Sequence, residues 1–334
     1  MKEAAFYSRE EENLRCQLCP HLCLIRDGHA GICRVRRNVQ GTLMADNYGR
    51  IASIHLDPVE KKPLYHYHPG AMILSVGTVG CNLQCRFCQN HQISQCGPDK
   101  LPLLSVMTPE TLVNEVAAID GNIGIAYTYN EPVIWFEYVL DTARLAQARG
   151  LKNVMVTNGF VNSPALKELI PLIDAFNVDL KAFSESFYRT QTFSRLSPVL
   201  ESLRCIKDAG KHLEITYLVI PGLNDDPSAF DEMLRWIQQN LGDQIPLHLS
   251  RFFPAFRMNC APTPMDTLRR LYEMASAHMS FVYLGNVSYQ ETGRDTHCPS
   301  CGHMVIRRLG YDVDLQGLDE DGACSRCEYR ISIR

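Results

Sequence analysis

Cys81, Cys85 and Cys88 stand in the run Cys81-Asn82-Leu83-Gln84-Cys85-Arg86-Phe87-Cys88, spaced C-x3-C-x2-C, behind an apolar stretch and just before Gln89-Asn90. Three thiolates are one too few to saturate a [4Fe-4S] cube, so this spacing leaves one iron open to a substrate or cofactor. Zinc is the plainer alternative, but it normally takes four tetrahedral ligands, and only His91 or Cys96 follows closely enough to be the fourth. Disulfides compete poorly. The chain has fourteen cysteines and opens Met1-Lys2-Glu3-Ala4-Ala5 with no apolar leader behind it, which reads as a reducing, cytoplasmic setting.

Two further cysteine groups flank the triad. Cys298, Cys301, Cys324 and Cys327 form two C-x2-C knuckles around a strand-like Met304-Val305-Ile306. Four thiolates so paired suit tetrahedral zinc, and a unit this small needs the metal to fold. His297 and His303 are neighbours rather than required ligands, and a rubredoxin-like iron site is the alternative. Cys16, Cys19, Cys23 and Cys33 form C-x2-C-x3-C-x9-C with Gly28 and Gly31 in the return turn. That set suits a structural zinc or a second iron–sulfur cluster equally. Cys96, Cys205 and Cys260 are left without a role, Cys205 on a helical pattern that predicts a buried inert thiol.

The elements between these groups must position the triad. From about residue 71 to 290, β-branched apolar runs alternate with helical patterns, the rhythm of βα units around a mainly parallel sheet. Strands are predicted near Met72–Val76, Gly124–Tyr127, Asn153–Thr157, Ala175–Asp179, Leu213–Val219, Leu247–Ser250 and Phe281–Leu284. Helix starts are marked by Thr108-Pro109-Glu110, Ser163-Pro164 and Asp226-Pro227-Ser228, which predict helices over Thr111–Asp120, Ala165–Ile170 and Ala229–Asn240. The fold class is therefore α/β, a partial or near-complete TIM-like barrel. It would comprise residues 71–290, preceded by a four-cysteine module at 1–40 and a lead-in at 41–70, and followed by a zinc-ribbon-like module at 291–334.

Barrel sites form where strands end at their C-termini. There the sequence places the triad, then Tyr127-Thr128-Tyr129-Asn130-Glu131-Pro132, Thr157-Asn158-Gly159, Asp179-Leu180-Lys181, Ile220-Pro221-Gly222 and His248. Each has a plain structural use, such as a turn or a helix cap, but their recurrence after successive strands favours one shared site.

The composition, 334 residues with 46% hydrophobic and 21% charged, is that of a chain able to bury a large core; no window is long and apolar enough to span a membrane. A net charge of −4 gives no global attraction to polyanions. Arg34, Arg36 and Arg37, and Arg307 with Arg308, are local basic clusters lacking interleaved stacking aromatics, a weak signal for nucleic acid.

At these residues the chain resembles radical S-adenosylmethionine (SAM) enzymes of the pyruvate formate-lyase activating type, and more closely the radical SAM member of the AmmeMemoRadiSam system. The resemblance rests on Cys16-x-x-Cys19-Pro20-His21, Glu60-Lys61-Lys62-Pro63-Leu64-Tyr65-His66, Gly80-Cys81-Asn82-Leu83, Cys88-Gln89-Asn90, Thr128-Tyr129-Asn130-Glu131-Pro132 and the terminal knuckles, and covers almost the whole chain. It implies a [4Fe-4S] cluster on the triad, SAM on the open iron, and reductive cleavage to a 5′-deoxyadenosyl radical that takes hydrogen from a protein, RNA or metabolite. The alternatives are a glycyl-radical activase and a non-enzymatic redox sensor.

By the same resemblance Asn130 and Glu131 would meet the methionyl ammonium, and Lys181 the SAM carboxylate. Asp179, Asn158 and His248 would line methionine and ribose, and Ile220 would lie near adenine. Implied partners are a flavodoxin- or ferredoxin-type electron donor and a Memo-like protein. Activators carry an aspartate where this chain has Val156, which puts their monovalent-cation site in doubt here. Lys61, Lys62, Tyr65 and His66 are candidates for bordering the substrate opening.

Overall fold

The computed structural model describes residues 1–101, 104–288 and 291–333. Its centre is an eight-stranded sheet wound in sequence order: β1 (Ser53–Pro58), β2 (Met72–Gly77), β3 (Asn122–Tyr127), β4 (Lys152–Thr157), β5 (Ala175–Asp179), β6 (His212–Val219), β7 (Leu247–Arg251) and β8 (Val282–Gly285). β2 to β8 are parallel, and β1 runs antiparallel to β2 at one edge. Among the described residues β8 and β1 are not paired, so the sheet is an open, partial barrel.

The seven expected strands form within one or two residues of their expected bounds. β1 was not expected, because it lies inside the predicted lead-in. Its side chains are mostly half-buried or exposed, so the strand carries no apolar alternation to read.

Helices α1 (Pro109–Ala118), α2 (Phe136–Ala148), α3 (Ser163–Leu169), α4 (Ser197–Asp208), α5 (Pro227–Leu241) and α6 (Met265–Ser276) occupy the connections. Thr108 and Asp226 cap α1 and α5 by accepting the Thr111 and Ala229 N–H groups, and a proline occupies the first helical turn in each. These prolines start the helices about two residues earlier than the apolar pattern alone predicts. The inward faces bury Leu112, Val116, Val139, Leu166, Leu203, Phe230 and Leu268 against the sheet in one continuous core.

Residues preceding β1 form two small three-stranded sheets, one of Tyr7–Glu10, Asn13–Cys16 and Leu24–Ile25, the other of Lys2–Glu3, Thr42–Ala45 and Arg36–Val39. They dock on α2 through Arg36, 1% exposed, whose guanidinium donates to Glu137 at 2.9 Å. The Ala5 N–H donates to the same carboxylate. A buried pair like this fixes the docking geometry, because removing one partner strands the other charge away from water.

The last strands, Thr296–His297, Met304–Leu309 and Asp312–Asp314, make a third small sheet. Its core of Cys298, Val305, Ile306, Cys324 and Ile331 merges with Phe281 and Tyr283 beside and within β8, and with Tyr65 ahead of β2. The C-terminal unit thus covers the open side of the barrel.

Candidate functional site

The triad loop leaves β2 under two steric constraints. A Cβ on Gly77 would lie 2.8 Å from the Thr128 carbonyl oxygen, and one on Gly80, at φ +85°, only 2.4 Å from the Cys33 carbonyl oxygen. Only glycine permits both approaches. Beyond them, Gln84 and Arg86 donate backbone N–H groups to Thr192 and Gln191. Asn82 donates to the Phe160 carbonyl at 2.7 Å and accepts from Asn158 at 2.9 Å.

The loop so held places Cys81, Cys85 and Cys88 on one wall of a cavity of about 240 Å³ at the C-terminal ends of the strands. Asn130, Asn158, Asp179 and Lys181 line the same cavity, together with Thr216, Ser250 and Asn286. Asn130 is pinned by donating to the Gly80 carbonyl at 2.7 Å. Lys181 pairs with Asp179 at 2.9 Å. Burial alone would lower the Lys181 ammonium, but Asp179 and then Cys85 outweigh it and raise it. Burial pushes the Cys81 thiol well up, Glu131 adding to it, and pushes Cys85 up to about 12 against the pull of Lys181. Thiols so placed become thiolates only beside a bound cation.

Three predicted residues lie elsewhere. Glu131 is fully buried behind the wall, its oxygens accepting from Thr157 Oγ1 at 2.7 Å, Asn158 N at 2.7 Å and Val133 N at 3.0 Å. Burial raises it to about 7 despite those donors. It is in place to hold the Thr157–Asn158 turn and reaches the cavity through Asn158. Ile220 is also fully buried, its N–H donating to Asn224 Oδ1, and it does not line the cavity.

His248 borders a neighbouring cavity instead. The reason is Glu214 on β6, which draws in His248 Nε2 at 2.6 Å and His212 Nε2 at 2.9 Å and accepts the Tyr65 and His66 N–H groups. Sequence reasoning passed over this carboxylate. Its only sequence mark is His212-x-Glu214 within a strand, and its other partners lie far off in the chain. Lys61 and Tyr65 line the neighbouring cavity too, whereas Lys62 is buried on Asp57 and His66 on Tyr283.

The C-terminal cysteines converge. The four Sγ atoms lie within 4.8 Å of one another, with Cys298–Cys327 at 3.6 Å and Cys301–Cys324 at 3.7 Å. A tetrahedron with metal–sulfur bonds of about 2.3 Å has edges of about 3.8 Å, so the donors are set for one metal ion. Cys327 is poised to ionise, since the Tyr329 N–H and then Cys301 bring it down to about 7. His297 and His303 stand outside this group. Among the described residues it is the one set of metal-ligand atoms so gathered. Cys16, Cys19, Cys23 and Cys33 instead surround a small apolar cavity, where burial raises Cys33 to about 11.

Residues 75–237 match the model of the radical SAM superfamily, a span that contains the triad and strands β3 to β6. With enzymes among its relatives and the site geometry above, the chain is a radical SAM enzyme. It belongs to the same family as the uncharacterized protein MJ0808 of Methanocaldococcus jannaschii, with 39% identity over 100% of this chain and 99% of that protein. The pyruvate formate-lyase 1-activating enzyme of Escherichia coli is 25% identical over 44% of this chain and 61% of its own length. In fold, the chain is similar to a radical SAM methyltransferase from Sphaerobacter thermophilus, with a TM-score of 0.52 and 16% identity over 65% of this chain and 67% of that one. It is also similar to Streptococcus suis SuiB bound to S-adenosylmethionine, at 0.50 and 12% over 66% and 50%. No helix is long and apolar enough to cross a membrane.

The donor set fits the cofactors the superfamily implies. Three thiols line the cavity together with amide, carboxylate and ammonium groups, a donor set that suits a [4Fe-4S] cluster with a zwitterionic ligand on its open iron.

Proposed function

We propose that the chain cleaves SAM reductively and uses the product to abstract hydrogen from a protein, RNA or metabolite. The observation that carries this reading is the convergence of three thiols and four polar side chains, Asn130, Asn158, Asp179 and Lys181, on one cavity. Cys81, Cys85 and Cys88 would hold the cluster, which when bound supplies the electron that splits SAM into methionine and a 5′-deoxyadenosyl radical. Lys181 would face the methionyl carboxylate. Asn130 and Asn158, pinned by Gly80 and Asn82, would orient the amino group and ribose, with Glu131 holding Asn158 in position.

The electron donor is of the flavodoxin or ferredoxin type. The C-terminal cysteines hold zinc and the N-terminal four hold a second metal centre, zinc or iron–sulfur. The resemblance to the AmmeMemoRadiSam member makes a Memo-like protein the partner to test. Similarity to enzymes named for activating pyruvate formate-lyase and isethionate sulfite-lyase supports a second reading, a glycyl-radical activase.

Anaerobically reconstituted protein given dithionite and SAM should form 5′-deoxyadenosine, and Cys85→Ala should lower the yield at least about a hundredfold, a loss of roughly 2.7 kcal/mol in transition-state terms. Absence of the nucleoside from the wild-type reaction refutes the reading. A glycine-loop peptide that acquires an electron paramagnetic resonance signal in the same mixture would turn it to the activase.

A further inference from the structure

A second cavity, of about 310 Å³, adjoins the cluster cavity: Ser250 and Asn286 line both. Its inner part is neutral, with Leu284 and Gly285 of β8 and Val287 beyond. Its outer part is built by the lead-in and the C-terminal unit, through Lys61, Tyr65, Arg294 and Tyr311.

The outer part has more positive charge than it can pair. The Arg294 guanidinium donates to the Gly310 carbonyl at 3.2 Å, and among the described residues no carboxylate lies within ion-pair distance of it. Lys61 and Lys62 share a single carboxylate, Asp57, at 3.0 and 2.8 Å. The one acid on the cavity wall, Glu60, is 5% exposed and accepts from the Gly70 N–H, and burial favours its neutral form. Lys61 also lies over the Tyr311 ring at 5.4 Å, which places its ammonium on the cavity side. His248, fixed on Glu214 through Nε2, adds a ring to the wall with only Nδ1 left to bond.

We infer that this second cavity is the substrate chamber, and that it takes a substrate bearing an oxyanion, carboxylate or phosphate, recognised by Lys61 and Arg294. The inference rests on the radical SAM reading for the word substrate. The charged group binds at the outer end, where Arg294 has no carboxylate partner among the described residues and Lys61 shares Asp57 with Lys62, and a neutral carbon-bearing end points past Ser250 and Asn286 toward the cluster cavity. In the cluster cavity the one lysine of the lining, Lys181, is already paired with Asp179 and is assigned to the SAM carboxylate, whereas Arg294 has no carboxylate partner among the described residues, so the oxyanion of a separate substrate is drawn to the outer end of the second cavity.

Titration calorimetry of the full chain with glutarate and, separately, pyrophosphate tests the chamber and tells carboxylate from phosphate. At least one probe should bind, about tenfold more weakly after Arg294→Gln and after Lys61→Gln, with Lys61→Arg retaining affinity. Lys61 is exposed, so its replacement leaves the core intact. Failure of both probes to bind, or binding that neither glutamine variant weakens, overturns the inference. These titrations need neither cluster nor reductant, so their outcome is independent of whether SAM is cleaved.

Discussion

Glu214 accepts four hydrogen bonds, from two backbone N–H groups and two imidazoles, and is fully buried between the lead-in and the sheet. Burial would raise its carboxyl, but His212 and His248 outweigh that and hold it well below the usual carboxylate range. A folded-state value below the unfolded one, about 4.3, contributes stability above that pH and loses it as pH falls through the folded value. His66, pushed down to about 3 by burial, has its window higher: its contribution is complete above an unfolded value near 6.5 and declines from there toward 3. Urea unfolding should therefore weaken gradually below about pH 6.5 and steeply below about pH 4. Glu214→Gln removes the charge that both imidazoles face and should destabilise by about 3–5 kcal/mol at neutral pH, flattening the steep acid limb. An unchanged acid limb in that variant would show that other carboxylates govern it.

At the scale of elements, the triad loop is legible because its chemistry is local: three cysteines within eight residues declare their purpose before any fold is known. β2 to β8 are legible for a similar reason, since β-branched runs and capped, proline-led helices are local signals. β1 and the lead-in were not, because their placement depends on Asp57 meeting Lys61, Lys62 and Tyr129, and on Glu214 capturing Tyr65 and His66 from about 150 residues away. Glu131 shows the same limit. Its motif marks it as important, but whether it faces the cavity or holds Asn158 from behind is decided by where β4 ends. The steric contact at Gly80 makes the loop testable as a unit. Gly80→Ala adds a Cβ at φ +85° against the Cys33 carbonyl, so the loop or the N-terminal sheets must shift. It should cost more than about 1 kcal/mol in unfolding experiments and reduce the iron retained per chain after reconstitution. Wild-type iron content would mean that the loop holds its cysteines without support from the N-terminal unit.

Over the whole molecule, the open side of the barrel is closed by a unit too small to fold on its own apolar contacts. Arg308, 4% exposed, ties that unit to the lead-in by donating to the Tyr65 carbonyl at 2.7 Å, and is itself held within the unit by donating to Thr296 Oγ1 at 2.8 Å. Tyr283 of β8 joins the same network through Thr296 and His66. Cys298 and Cys324 belong to the unit's core, and structural zinc in comparable peptides binds with about 10–16 kcal/mol, more than a unit of this size gains by burial. A metal held by the four cysteines would therefore join the terminal sheet, Arg308 and Tyr65 in one mechanical chain that ends in the wall of the second cavity. Cys327, the exposed member of the four cysteines, can be altered with little loss of packing. Cys327→Ser should lower the metal content by one ion per chain and make residues 291–333 the first segment cut in limited proteolysis. The same variant should weaken oxyanion binding at Lys61 and Arg294, while the triad, more distant and held by β2 and the N-terminal sheets, keeps its iron. Proteolysis that begins instead at the N-terminal sheets, or anion binding that survives loss of the metal, would uncouple the terminal unit from the chamber and leave it an appendage of the barrel.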